Sequence, residues 1–130
     1  MMDHRNNPPK VRGWRHLLAA QSYSISGFRR LLRETAFRHE VLAFLGSLLL
    51  FALIGAELQD YVALIILFCI VCAVEAINTA IEEIIDRISP ELSATGRHAK
   101  DLGSFAVFCL LVAWAALTAY VGYRHLLPPS

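Results

Sequence analysis

VEAINTAIEEIID, Val74 to Asp86, decides how this 130-residue chain is read. It begins inside an apolar run, yet it carries Glu75, Asn78, Glu82, Glu83 and Asp86 among Val, Ala and Ile. At about 100° per residue, Asn78 lies about −60° from Glu75 around a helix, Glu82 about −20° and Asp86 about +20°. Those side chains therefore share one narrow stripe, with Glu83 at its edge. A carboxylate at bilayer depth is unfavourable by roughly 3 kcal/mol on insertion scales, so acids in such a helix usually face a protein interior and have a task. The plainer alternative, a helix end with solvated charges, suits Glu83 better than Glu75.

The surrounding composition demands a membrane. Hydrophobic residues make up 56% of the chain and the mean hydropathy is positive, which is too apolar for an ordinary soluble domain of this size. A net charge of +1 gives no reason to expect a nucleic-acid partner. Cys69 and Cys72 have C-x-x-C spacing but lack a second ligand pair or a βαβ setting, and Cys109 stands alone, so all three read as small apolar side chains. The histidines are scattered without metal-ligand spacing.

In chain order, residues 1–13 read as a disordered, proline-bearing tail with no apolar segment of the kind a signal peptide has. Residues 14–126 read as one domain. Within it, 14–33 forms an amphipathic surface helix: Trp14, Leu17, Leu18, Ile25, Phe28 and Leu32 fall on one face, with Arg15, Arg29, Arg30 and Arg33 to one side. Spans are expected at 38–57, 61–88 and 101–124. A charged hinge covers Glu34 to Glu40, a tight polar turn Glu57 to Asp60, a polar loop Ser89 to Lys100, and a short tail starts at Arg124. The predicted class is an all-α membrane protein with a surface helix and three transmembrane helices.

Eleven of the twelve lysines and arginines lie in 1–40 or 87–100. The positive-inside rule then puts the N-terminus and the 87–101 loop in the cytoplasm, and the 57–60 turn and the C-terminus outside. Glu75 lies 14 residues past Tyr61, about 21 Å along a helix, hence within about 9 Å of the cytoplasmic interface of a core about 30 Å thick. Glu82 is about 10 Å further and reaches water. The stripe runs from beneath the headgroups into the cytosol, where a lipid and a water-soluble molecule can meet.

Neither G-x-x-x-x-G-K-[ST] nor G-x-G-x-x-G occurs, so phosphate has no glycine-rich cradle of those kinds. Mg²⁺ on carboxylates is another way to hold it. Glu34 and Glu82, both expected at the cytoplasmic interface, are candidates to share an ion, and Lys100 is a candidate phosphate partner. Periodicity alone supports a polar site at the inner interface and no specific reaction.

E-A-I-N-T-A-I-E-E-I-I-D-R-I-S-P-E followed by A-K-D-L-G-S, with Y-S-x-x-G-F-R and E-T-A-F-R-H-E upstream, resembles the signature of the prokaryotic diacylglycerol kinase family, which also contains undecaprenol kinases. The resemblance covers roughly residues 13–123. It implies a homotrimer with shared sites in the bacterial inner membrane that passes the γ-phosphate of ATP, with Mg²⁺, to the hydroxyl of diacylglycerol. By position it implies Glu75 as general base, Asn78 as the amide that orients the base or a phosphate oxygen, and Glu34 and Glu82 as metal ligands. Lys100, Asp101, Tyr23 and Glu91 would contact nucleotide, with Asp86 supporting that side. Arg29, Phe37, Arg38, Glu40 and Ser104 would line the lipid side. Small residues Ala73, Ala76, Thr79 and Ala80 would let helices approach closely. Three departures stand out: Arg29 to Glu34 is one residue shorter than in the best-known members, Arg15 or His16 takes the place of an N-terminal arginine, and Ser93 stands where a histidine often meets adenine. The alternatives are undecaprenol as the substrate and, in a different class, a non-enzymatic ion-conducting or structural membrane oligomer.

Overall fold

Residues 12–91, 93–127 and 129 are described by a computed structural model of the chain. The expected disordered tail falls almost wholly on residues 1–11, outside that set. Among the described residues the secondary structure is entirely helical, in the order α1 (Trp14–Leu31), α2 (Thr35–Ile54), α3 (Leu58–Ile88) and α4 (Ala94–Leu126). The last three are long and apolar enough to cross a membrane, in line with the predicted class.

α2, α3 and α4 each start before the limits that charge suggests, and α4 also ends beyond them, whereas α1 stops at Leu31 and α2 at Ile54, each short of the expected limit. A helix hydrogen-bonds its own backbone through a charged residue once that residue reaches water, so the end of an apolar window is not the end of a helix. α2 starts at Thr35, inside the expected hinge, and stops where Gly55 adopts a left-handed φ of 74°. That conformation lets the Ala56 N–H reach the Phe51 carbonyl at 2.9 Å. The expected turn Glu57 to Asp60 is instead the start of α3: Glu57 caps the helix and exchanges capping hydrogen bonds with Asp60. The expected loop Ser89 to Lys100 becomes helix from Ala94, because the Ser93 hydroxyl accepts from the Gly96 N–H at 3.1 Å. Ser93 is thereby a helix cap in this chain.

α3 has 31 residues and is about 46 Å long, some 16 Å more than a hydrocarbon core of about 30 Å. Its acidic half therefore has room to leave the apolar layer while its first half remains within it. α3 and α4 form the main helix pair. The core joins Phe51, Leu64, Val71, Trp114 and Val121. Phe44 stacks on Phe68 with centroids 4.1 Å apart, Phe68 meets Trp114 edge-on, and the Trp114 indole N–H donates to Ser47 Oγ at 3.1 Å. A satisfied indole matters here, since an unpaired donor in hydrocarbon has no water to fall back on. The cysteines are all free.

The other end of the α3–α4 pair holds a cluster that the sequence pattern does not reveal. Arg124 and His125 are not a tail; they form the last turn of α4 and fold onto buried Asp60. Asp60 Oδ1 accepts from Arg124 Nη1 at 2.9 Å, and Oδ2 accepts from the Glu57 N–H at 2.9 Å and lies 3.0 Å from His125 Nε2. Removing the guanidinium leaves a buried carboxylate short of a charged donor, a loss of about 2 kcal/mol. Arg124→Ala is therefore expected to lower the thermal unfolding midpoint in detergent micelles, with Arg124→Lys losing less. An unchanged midpoint would show that the cluster does not hold the pair together.

Candidate functional site

The acidic half of α3 forms one wall of a cleft of about 270 Å³, whose other walls come from α4, the start of α2 and the turn before it. Glu34, Glu40, Glu75, Asn78, Glu82 and Ser104 all line it. Helical spacing explains the order along α3. Glu75, Asn78 and Glu82 sit three and four residues apart, so one face of a single helix delivers all of them. The cleft is graded in exposure. Glu75 and Glu40 retain 6% and 7% of their accessible surface, whereas Glu82 is half-buried and the Glu34 side chain is 38% exposed. Its deep end is closed and its shallow end is open.

Asn78 is held at the centre. Its Nδ2 donates to Glu82 Oε1 at 3.2 Å, so in this structure the amide orients Glu82. Its Oδ1 is buried with no hydrogen-bond partner among the described residues. That oxygen lies against Gly103 of α4, where an added Cβ would come within 2.1 Å of it. Glycine at 103 thus leaves the amide room for this position against the neighbouring helix. Glu34 accepts from Arg30 Nη1 at 2.6 Å, and the same guanidinium also bonds Glu83. Hydrogen bonds donated to Glu34 first and Glu83 next raise the Arg30 pKa above its ordinary value.

The remaining predicted residues are placed elsewhere. Lys100 pairs with Asp86 across the α3–α4 interface, outside the cleft lining. Tyr23, Glu91 and Asp101 are exposed and do not line the cleft. Arg29 lines a shallow groove on α1 with Gln21, Ser22 and Ser26. Arg38 is exposed and donates to Thr35 Oγ1 at 3.2 Å. Phe37 is fully buried and meets Phe28 edge-on at 6.1 Å, so it packs α1 against α2.

Four participants lie beyond the residues that sequence reasoning singles out for the site. Thr79 is 8% exposed and lines the cleft one turn beyond Glu75; the same stripe arithmetic reaches it, but its small size reads equally well as a helix contact. Gly103 gives a weaker signal, a lone glycine near the start of an apolar segment. Arg30 and Glu83 give none as site residues, because their role depends on a contact 53 positions apart.

Glu34 and Glu82 present hard carboxylate oxygens to one cleft, the donor type that suits Mg²⁺. No group of three or more His, Cys, Asp or Glu side chains arranged for a metal occurs among the described residues. The donor set therefore fits an ion that takes most of its ligands from phosphate and water, not one caged by protein.

The family model for prokaryotic diacylglycerol kinase matches residues 22–121, a stretch that includes every residue lining this cleft. The chain belongs to the prokaryotic diacylglycerol kinase family. It is similar to a diacylglycerol kinase from a Sinorhizobium species, 56% identical over 112 residues that cover 86% of this chain and 82% of that protein. It is also similar to the diacylglycerol kinases of Haemophilus influenzae, 34% identical over 83% of this chain and 96% of that one, and of Escherichia coli K12, 34% identical over 77% and 83%. Membership of this family makes the chain a lipid kinase and a bacterial membrane protein, and sets aside the non-enzymatic oligomer.

Proposed function

We propose that the chain transfers the γ-phosphate of ATP to the free hydroxyl of diacylglycerol, giving phosphatidate and ADP, at the cytoplasmic face of the inner membrane. The observation that carries this reading is the graded cleft, with Glu75 at its closed apolar end and Glu34 and Glu82 toward its open end. The relatives' shared name, diacylglycerol kinase, supports the choice of lipid. The depth expected from the sequence supports the meeting of substrates, with Glu75 below the headgroups near a lipid hydroxyl and Glu82 at water.

In this reading Glu75 accepts the hydroxyl proton as the lipid oxygen attacks phosphorus. Glu34 and Glu82 would hold Mg²⁺, which would supply charge neutralisation for the phosphates of the bound nucleotide. Asn78 fixes Glu82, while its Oδ1 stays buried against Gly103. Lys100 turns from Asp86 toward phosphate, and Tyr23, Asp86, Glu91 and Asp101 contribute to the nucleotide side. Glu40, Ser104, Arg29, Phe37 and Arg38 serve the lipid side, Phe37 by packing. Tyr23, Glu91 and Asp101 lie outside the cleft of a single chain, and Ala73, Ala76 and Ala80 are exposed on α3. Both facts suit an oligomer in which neighbouring chains complete each site, which the family resemblance makes a homotrimer; the distribution of lysine and arginine supports a cytoplasmic N-terminus and a periplasmic C-terminus.

The test is transfer of labelled phosphate from ATP to a panel of lipid alcohols in mixed micelles. Diacylglycerol is expected to be the preferred acceptor. Preference for undecaprenol would keep the chemistry and overturn the substrate, and absence of transfer to any lipid would overturn the whole proposal. Glu82→Ala removes a direct ligand, so its Mg²⁺ requirement is expected to rise by more than the about 10- to 100-fold typical of losing an outer partner. A wild-type Mg²⁺ titration from that variant would remove Glu82 from the metal site.

A further inference from the structure

Glu34 stands at the N-cap position of α2, yet its side chain makes no capping hydrogen bond, so nothing in its own helix holds it. It closes the short turn from α1, where its N–H donates to the Leu31 carbonyl at 2.9 Å. Its carboxylate is fixed instead by Arg30, through Nη1 on Oε1 at 2.6 Å. The other edge of the same guanidinium, Nε and Nη2, converges on Oε1 of Glu83. Glu83 follows Glu82 in sequence but does not line the cleft.

We propose that Arg30 is a positioning residue that braces Glu34 against α3 through Glu83 and so presents the Glu34 carboxylate to the metal of the bound nucleotide. This rests on the reading of Glu34 as a Mg²⁺ ligand given above. The guanidinium is planar and its donors keep a fixed spacing, so it sets the distance between the two carboxylates it joins. One of them belongs to a turn and the other to the helix that carries Glu82, the second candidate ligand. Arg30 thereby ties both ligands to one rigid element. A single exposed ion pair contributes little to stability. The effect expected here is on orientation, and outer partners of metal ligands typically change metal affinity by about 10- to 100-fold.

The same contact would have the opposite effect if Arg30 competed with the metal, occupying Glu34 until an ion displaced it. The two roles differ in sign. With purified protein in micelles, Mn²⁺ binding in the presence of a non-hydrolysable ATP analogue is measured by electron paramagnetic resonance. Phosphate transfer is titrated with Mg²⁺ alongside. Arg30→Gln is expected to weaken Mn²⁺ binding and raise the Mg²⁺ requirement by about tenfold, with kcat restored at saturating Mg²⁺. Glu83→Gln is expected to act in the same direction without touching the cleft, and it keeps the test open if Arg30→Gln fails to fold. Arg30→Lys, which lacks the fork, should recover only part of the loss. Unchanged binding in Arg30→Gln overturns the brace, and tighter binding replaces it with the competitor. A Glu34→Gln arm separates the layers. Weakening there without weakening in Arg30→Gln overturns the brace alone, whereas no weakening in Glu34→Gln removes the metal reading and the brace with it.

Discussion

Glu75→Gln is expected to reduce phosphate transfer by about 10²- to 10⁴-fold, the range attributed to a positioned general base. The substitution keeps the shape of the side chain and removes its ability to take a proton. Glu75 is 6% exposed at the closed end of the cleft, and Glu40, 7% exposed, is the other acid buried with it. Bulk water has little access to replace the lost base there. The fold has no reason to fail, since the amide occupies the same space. Initial rates in mixed micelles, with helical content and elution volume as controls, make the comparison. Wild-type turnover from an assembled Glu75→Gln protein would remove the mechanism.

The second large effect concerns a residue without chemistry of its own. Gly103→Ala places a methyl group 2.1 Å from Asn78 Oδ1, and Cγ of the same side chain is next at 3.2 Å. Both belong to a side chain that can rotate, so the amide yields and the helices do not. The rotation costs the hydrogen bond to Glu82 and frees that carboxylate. Activity is expected to fall by about 10- to 100-fold, as for other groups that orient a metal ligand. Stability is expected to change little, because alanine is favoured over glycine inside a helix by roughly 0.5–1 kcal/mol and offsets part of the displacement. Gly46→Ala is the control, since a methyl group there meets nothing within 4 Å. Equal activity in the two variants would show that the position of Asn78 does not matter.

What can be read from the chain depends on the range of the signal. The spans and the α3 stripe are local patterns, set by hydropathy and by 3.6-residue periodicity, and these suffice to bring Glu75, Asn78 and Glu82 onto the one face that lines the cleft. Helix limits are less accessible, because charge marks where the apolar layer ends and not where backbone hydrogen bonding ends. Ser93 and the Glu57–Asp60 pair show this: each extends a helix into a segment whose polarity suggests a loop or turn. Contacts between distant segments leave no trace at all. Arg124 beside Asp60, and Arg30 between Glu34 and Glu83, look in sequence like interfacial charges on separate elements. Only packing shows that one pair closes the α3–α4 hairpin and the other anchors a candidate ligand.

The most direct test asks how deep the acidic stripe sits. Ile70, Ile77 and Ile84 are exposed on α3 and seven residues apart, so they sample about 21 Å of depth along a single face. With Cys69, Cys72 and Cys109 replaced, nitroxides at these positions in bilayers report collision with oxygen, which favours hydrocarbon, and with a water-soluble nickel chelate. The expected order is Ile70 deep in the apolar layer, Ile77 just beneath the headgroups and Ile84 in water. A nitroxide at 84 shielded from nickel in the apolar layer, or one at 70 open to it, would contradict a cleft that bridges lipid and cytosol.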